Sequence, residues 1–233
     1  MNDDKRYEIK FILDEGKLAE FTQWMYCFTE LSPAFETRYV NSLYFDDASY
    51  ESVRDNLAGV SDRKKTRLRW YHEKDGSPSV ISSPVLELKI RNSRLGHKRR
   101  TPLPGIKNDL MDLEIGSIYT RVSQEINRLN ANHDFLKDYY APTLHVSYLR
   151  EYYEGLNGLR VTIDNDINFH SVAPYSRLFE DESASYPMNV VEIKFDPKIK
   201  HRVAKLLHNL HLTPKRHSKY LVGLSIFGQV TYV

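Results

Sequence analysis

Arg67-Leu68-Arg69 and two Glu-x-Lys pairs, Glu87-Leu88-Lys89 and Glu192-Ile193-Lys194, are the residues of this chain best suited to chemistry. Guanidinium forks donate paired hydrogen bonds to phosphate oxygens, lysines add movable point charges, and a carboxylate can hold a hard cation. The same alternation recurs in Arg6-Tyr7-Glu8-Ile9-Lys10-Phe11 and in Arg160-Val161-Thr162-Ile163-Asp164. Side chains alternate across a strand, so each segment sets a charged row on one face against Ile, Leu, Val, Phe or Trp on the other.

Arg63 and Lys65 are in phase with Arg67 and Arg69. With them the polar rows hold ten bases: Arg6, Lys10, Arg63, Lys65, Arg67, Arg69, Lys89, Arg91, Arg160 and Lys194. Only five acids oppose them: Glu8, Glu87, Asp164, Glu192 and Asp196. The whole chain is nearly balanced, with 33 Lys+Arg against 31 Asp+Glu and a net charge of +2. Base is therefore concentrated on one face. For a single strand the ordinary explanation is an antiparallel sheet with one face in water. Across the set, the uncompensated charge repels itself unless an anion sits among it. Curled inward, such a face would line a tunnel suited to a polyanion, although spacing alone does not say which way it faces.

The elements that must position these rows follow from pattern. A strand near 5–13 leads to a helix near 14–30, whose Leu18, Phe21, Met25 and Phe28 keep a helical period. Strands are expected near 37–46, 62–73 and 84–92, with a short helical stretch ending about Leu57. A helical stretch after Pro102-Leu103-Pro104-Gly105 runs to about 138. Strands near 143–153 and 158–169 flank the turn residues Glu154–Gly158, and Val172–Tyr186 reads as an exposed loop. A strand at 188–196 ends at Asp196-Pro197, which caps a helix carrying Val203, Leu206, Leu207 and Leu210; a last helix begins near Ser218. The class is α+β, mostly antiparallel, in a single domain over 1–233.

At 41% hydrophobic and 12% aromatic the chain can bury a real core. Its one cysteine, Cys27, rules out an internal disulfide, and its aromatic neighbours suggest a buried, inert thiol. There is no signal peptide and no run of 18 apolar residues, so a cytoplasmic protein is expected, with any membrane attachment coming through a partner.

Taken in order, Arg-x-Glu-x-Lys, Arg-x-Arg, Glu-x-Lys, Arg150 before Glu-Tyr-Tyr, Arg-Val-Thr-Ile-Asp, a second Glu-x-Lys and Ser218-Lys219-Tyr220 resemble the VTC domain. This is the polyphosphate-polymerase domain of the vacuolar transporter chaperone family, within the triphosphate tunnel, CYTH-like superfamily. The resemblance spans about residues 5–225. It implies an antiparallel β-barrel forming a tunnel with flanking helices, a divalent cation (Mn²⁺ or Mg²⁺), and ATP and polyphosphate, or another polyanion, as ligands. The membrane helices and N-terminal phosphate-sensing domain of eukaryotic members are not seen in this sequence, so a stand-alone domain is expected.

Carried over by position, Lys10, Arg67, Arg69, Lys89, Arg150 and Arg160 would contact phosphates. Lys98 or Arg99 would supply a further basic group. Ser218 and Lys219 match the terminal Ser-Lys pair, with Arg216 near a preceding basic position. Glu192, with Glu8, would hold the metal, and Arg6, Arg91 and Lys194 extend the basic rows. One departure bears on the reaction. Hydrolases of the superfamily begin Glu-x-Glu-x-Lys, and here Arg6 replaces the first glutamate, which lowers the carboxylate count and disfavours simple triphosphate hydrolysis.

The reaction so implied is transfer of the ATP γ-phosphate to a growing polyphosphate chain. The alternatives are a module that only binds polyphosphate or inositol polyphosphates, and a metal-dependent triphosphatase. Nucleic acid is not an expected partner, because most strand aromatics lie in the apolar phase rather than on the basic face. Blander roles also stand: Glu87 and Lys89 as an exposed ion-pair row, Arg67 and Arg69 as a solvated edge, His208 and His211 as helix surface.

Overall fold

The computed structural model describes residues 6–92, 95–129, 136, 140–155 and 158–231, with only the backbone of 91, 92 and 95–97. The elements run β1 (Tyr7–Leu13), α1 (Glu15–Phe28), β2 (Ser32–Asp46), α2 (Glu51–Leu57), β3 (Asp62–Glu73), β4 (Val85–Asn92) and β5 (Leu95–Pro102). After these come α3 (Ile115–Arg128), β6 (Ala141–Glu154), β7 (Arg160–His170), β8 (Ser183–Tyr186), β9 (Asn189–Phe195), α4 (Lys200–Leu207) and α5 (Lys219–Ile226). The strands pair in the order β1-β9-β7-β6-β2-β3-β4-β5, with β8 added to β7. The ladders β1–β9, β9–β7, β3–β4 and β4–β5 are antiparallel, so the α+β antiparallel class expected from the sequence is the one observed.

The residues gather into two compact units, and β2, β6, β7 and β8 contribute to both. The first comprises residues up to Arg38, Tyr148–Ile167 and Ser185–Ser218; the second comprises Tyr39–Ser147, Asn168–Ala184 and residues from Lys219 onward. Each unit has its own core. In the first, Phe11, Leu13, Val161, Ile163, Val191, Ile193 and Phe195 pack against Phe21, Trp24 and Met25 of α1 and Val203 of α4. In the second, Leu43, Phe45, Leu68, Trp70, Leu86 and Leu88 pack against Ile115, Ile118, Val122 and Ile126 of α3.

Local sequence sets the ends of the elements. The Asp14 carboxylate accepts the Lys17 N–H at 2.8 Å and starts α1. The Asp196 carboxylate accepts the Lys198 N–H at 2.8 Å ahead of Pro197 and starts the turn into α4. In α5, Gly223 lets the helix lie close to the sheet, because a Cβ there would stand 2.6 Å from both Leu144 Cδ2 and Phe169 Cδ1.

Several sequence expectations are corrected. Cys27 is exposed, not buried, because the buried stripe of α1 is Phe21, Trp24 and Met25 and Cys27 falls outside it. Phe28, the last residue of the expected stripe, is 50% exposed. β5 is a strand that the pattern did not show. Its Lys98, Arg99 and Arg100 are all exposed, so no apolar row marks it. The segment 172–186 is not all exposed loop: Ser183–Tyr186 forms β8 and Leu178 is buried in the second core. The long helical stretch after Gly105 is α3 alone, over Ile115–Arg128. Its expected continuation to 138 falls mostly outside the described residues, as do 156 and 157 of the expected turn. Among the described residues no helix is long and apolar enough to cross a membrane.

Gly223→Ala tests the close approach of α5. Helix propensity favours Ala over Gly by roughly 1 kcal/mol, whereas overpacking costs about 1–3 kcal/mol. The variant should therefore unfold at lower urea concentration than the parent. A stabilised variant would show that Leu144 and Phe169 yield without cost.

Candidate active site

In the first unit, register gathers charge on one face. Lys10 of β1 pairs across to Glu192 of β9 and on to Thr162 of β7, and Glu8 pairs across to Lys194 and Arg160. The alternate residues Ile9, Phe11, Val161, Ile163, Val191 and Ile193 belong to the core on the other face. Lys10 Nζ stands 2.9 Å from Glu192 Oε1 and 3.1 Å from Glu8 Oε1, and donates to the His217 carbonyl at 3.4 Å. The Lys194 ammonium bonds Glu192 Oε2 and lies 3.9 Å from Glu8 Oε2. Burial alone would lower the Lys10 pKa, but the carboxylates of Glu192 and Glu8 outweigh it and hold the ammonium above its ordinary value. Two carboxylates thus converge on one cation.

Arg150 of β6 makes a bidentate pair with Asp164 of β7, at 2.5 Å from Nε and 2.7 Å from Nη2. Its guanidinium lies 5.1 Å from the Tyr148 ring centroid. The Asp164 side chain is fully buried, and although desolvation works against it, that carboxylate keeps Arg150 charged well above the ordinary arginine range. Arg160 differs: half exposed, it pairs with Glu154 at 2.5 Å. Arg6 is half-buried just before β1, Arg216 is exposed, and Ser218 is half-buried before α5.

In the second unit the β3–β4–β5 register places Lys65, Lys89 and Lys98 directly opposite one another, followed by Arg67, Glu87 and Arg100. Glu87 is buried at 3% exposure. Its Oε2 accepts Arg67 Nε at 2.9 Å and Nη2 at 2.6 Å, and lies 3.7 Å from Arg69 Nη1; its Oε1 accepts Arg100 Nε at 3.0 Å. Burial pushes the Glu87 carboxyl up, but Arg67, Arg69 and Lys98 together hold it well below the usual range.

Arg69 is itself buried and donates to Ser42 Oγ from Nε at 3.3 Å and from Nη2 at 3.2 Å. Tyr44 accepts from Arg67 Nη1 at 3.4 Å. Burial would raise its phenol, yet Arg67, Arg69 and Lys219 bring it below its ordinary value. The buried ring of Tyr220, next to Lys219, stacks on Tyr44 at 4.6 Å, and its hydroxyl donates to Asp46 at 3.0 Å. Arg67 and Arg69 are therefore not a solvated edge, and the partners of Glu87 are arginines rather than an exposed row with Lys89.

Of the two basic candidates on β5, Lys98 pairs opposite Lys89, while Arg99 pairs opposite Leu88 on the alternate face. Arg91 lies in β4 opposite Arg63, its side chain outside the described residues. His208 and His211 are exposed, and no cluster of three metal-ligating side chains occurs among the described residues. A divalent cation would have Glu8 and Glu192 as its carboxylates. Thr162, cross-strand from Glu192, has a buried Oγ1 with no hydrogen-bond partner. This set suits a hard cation that draws its other ligands from phosphate oxygens and water. The residues that pattern reading missed are Ser42, Tyr44 and, above all, Glu87 as a hub. Glu87 was visible only as the acid of a Glu-x-Lys pair.

The VTC domain family model matches residues 5–227. A comparison with curated proteins finds no match. Among solved structures, a Hippeastrum protein, HpAC1, assigned as an adenylyl cyclase and found to have a dominant triphosphatase activity, has a TM-score of 0.51 at 17% identity, covering 97% of each chain. A protein from Vibrio parahaemolyticus assigned as an adenylate cyclase has a TM-score of 0.51 at 13% identity, covering 96% of this chain and 99% of its own. The PH1819 protein of Pyrococcus horikoshii OT3 has a TM-score of 0.50 at 12% identity, covering 95% and 99%.

The contrast between the Arg150 and Arg160 pairs is measurable. Asp164→Asn leaves a buried guanidinium without its counter-charge and should cost about 3–5 kcal/mol in urea unfolding. Glu154→Gln breaks an exposed pair and should stay within about 1 kcal/mol of the parent. Equal effects would show that burial does not separate the two pairs.

Proposed function

This chain belongs to the VTC domain family, in the triphosphate tunnel, CYTH-like superfamily, and we propose that it is a polyphosphate polymerase using ATP as phosphoryl donor. The observation that carries this reading is how few carboxylates stand among the bases. Arg6 occupies the first position of Arg-x-Glu-x-Lys, and among the described residues Glu8 and Glu192 are the carboxylates that converge on Lys10. Joining two polyanions needs positive charge more than it needs a base. The terminal phosphate oxygen of the chain is already anionic and attacks the γ-phosphorus. The bond from the γ-phosphorus to the β–γ bridging oxygen breaks, ADP leaves with its electron pair, and no proton has to be moved.

The residues divide this work by chemistry. Arg67, Arg69 and Arg150 bind and orient phosphate oxygens through their forks. Lys10, Lys89, Lys98 and Lys219 offset charge that builds on the transferring group. Arg6, Arg91, Arg160, Lys194, Arg216 and Ser218 extend the anion-binding surface. Arg99 is left out of this set, since its register turns it to the alternate face. Glu192 and Glu8 would hold Mg²⁺ or Mn²⁺, which would neutralise part of the phosphate charge. A cytoplasmic setting fits ATP as donor.

A triphosphatase is the second reading. The convergence of Glu8 and Glu192 favours it, because a carboxylate pair suits metal-assisted attack by water.

The experiment is incubation of the purified protein with ATP and Mn²⁺ or Mg²⁺, with products run on a polyphosphate gel beside a phosphate-release assay. A metal-dependent ladder is expected, reduced roughly a hundredfold or more in Lys89→Ala and in Glu192→Gln. Phosphate without a ladder would establish the triphosphatase, and neither product would leave a polyanion-binding module.

A further inference from the structure

Both oxygens of the Glu87 carboxylate accept from guanidinium groups. Oε2 takes the Nε and Nη2 edge of Arg67 and faces Arg69, and Oε1 takes Arg100. Its side chain is 4% exposed, that of Arg67 17% and that of Arg69 8%, so the carboxylate lies beneath the arginines rather than beside a ligand. Ser42 Oγ holds two nitrogens of Arg69, and Tyr44 Oη meets Nη1 of Arg67. The three acceptors together leave these guanidinium planes little freedom to rotate.

We propose that Glu87 is a positioning residue, whose buried carboxylate fixes the planes of Arg67 and Arg69 so that they meet phosphate already oriented. The inference rests on the reading that this cluster takes phosphate. Two physical roles for Glu87 make opposite predictions. If it served only to balance charge, removing it would raise the positive potential and tighten anion binding. If it orients the forks, removing it frees two rotamer-rich side chains that must then be ordered by the ligand, and binding weakens. Burial favours orientation, because a carboxylate in low dielectric with good hydrogen-bond geometry directs its partners more strongly than one in water. The depressed pKa of Glu87 agrees, showing that the carboxylate is stabilised by the groups it holds.

The test is calorimetric binding of inorganic tripolyphosphate to the parent, Glu87→Gln and Glu87→Asp proteins at fixed ionic strength, with circular dichroism to confirm folding. Binding is read directly, so the result does not depend on turnover. Glu87→Gln should bind roughly tenfold more weakly or worse although it is one charge more positive. Glu87→Asp, with unchanged charge but a shorter reach, should also bind roughly tenfold more weakly. Equal or tighter binding by a folded Glu87→Gln protein overturns the positioning role while leaving the phosphate site standing. If Glu87→Gln does not fold, Glu87→Asp decides, and parental affinity in that variant overturns the proposal. No tripolyphosphate binding by the parent would bring down the phosphate reading itself, and this inference with it.

Discussion

Guanidinium groups cannot be crowded onto one face of a sheet without something to hold them apart and charged. In this protein that constraint is met by buried carboxylates. Glu87 receives Arg67 and Arg100 and faces Arg69; Asp164 receives Arg150 in a two-point pair. Burying a lone charge is costly, and an ion pair offsets that cost only when its geometry is good and its remaining lone pairs are satisfied. Each carboxylate is therefore a fixed point around which neighbouring strands must keep register. A slip of one residue would put Glu87 on the face now occupied by Leu86 and Leu88 and strand its arginines.

Those fixed points allow an arrangement that would otherwise be unfavourable. Lys65, Lys89 and Lys98 stand opposite one another on three successive strands, and like charges in that relation destabilise a sheet. The sheet tolerates them because the apolar faces of the same strands are committed to a core, with Leu68, Trp70, Leu86 and Leu88 all buried. Stability is supplied on the face opposite these lysines.

The second device is a helix anchored at its start. In α5, Tyr220 is buried, stacks on Tyr44 and donates to Asp46, which also accepts from Ser52 Oγ at 2.5 Å. Gly223 lets the next turn approach Leu144 and Phe169. The result is a definite place for Lys219, close enough that its charge acts on Tyr44. The terminal Ser-Lys-Tyr is thus a packing motif as well as a basic one: the tyrosine fixes where the lysine stands.

The sequence by itself determined the strands that alternate and the face on which their charge lies. A period of two is local, and it needs only a core behind it. It also carried the ordered series of short motifs, because each is a few adjacent residues. It did not show β5, whose residues keep no apolar row, or β8, whose four residues are fixed by pairing to β7. It placed Cys27 among aromatics and called it buried, whereas the rotation of α1 decided otherwise. It could not choose between Lys98 and Arg99, adjacent bases that differ only in register. Nor could it find that Glu87 serves arginines from two neighbouring strands, or that Glu8 and Glu192, 184 positions apart, close on the same lysine. Such pairings depend on which strands become neighbours, and only the tertiary structure decides that, since hydrogen bonds between strands join segments with no proximity in the chain.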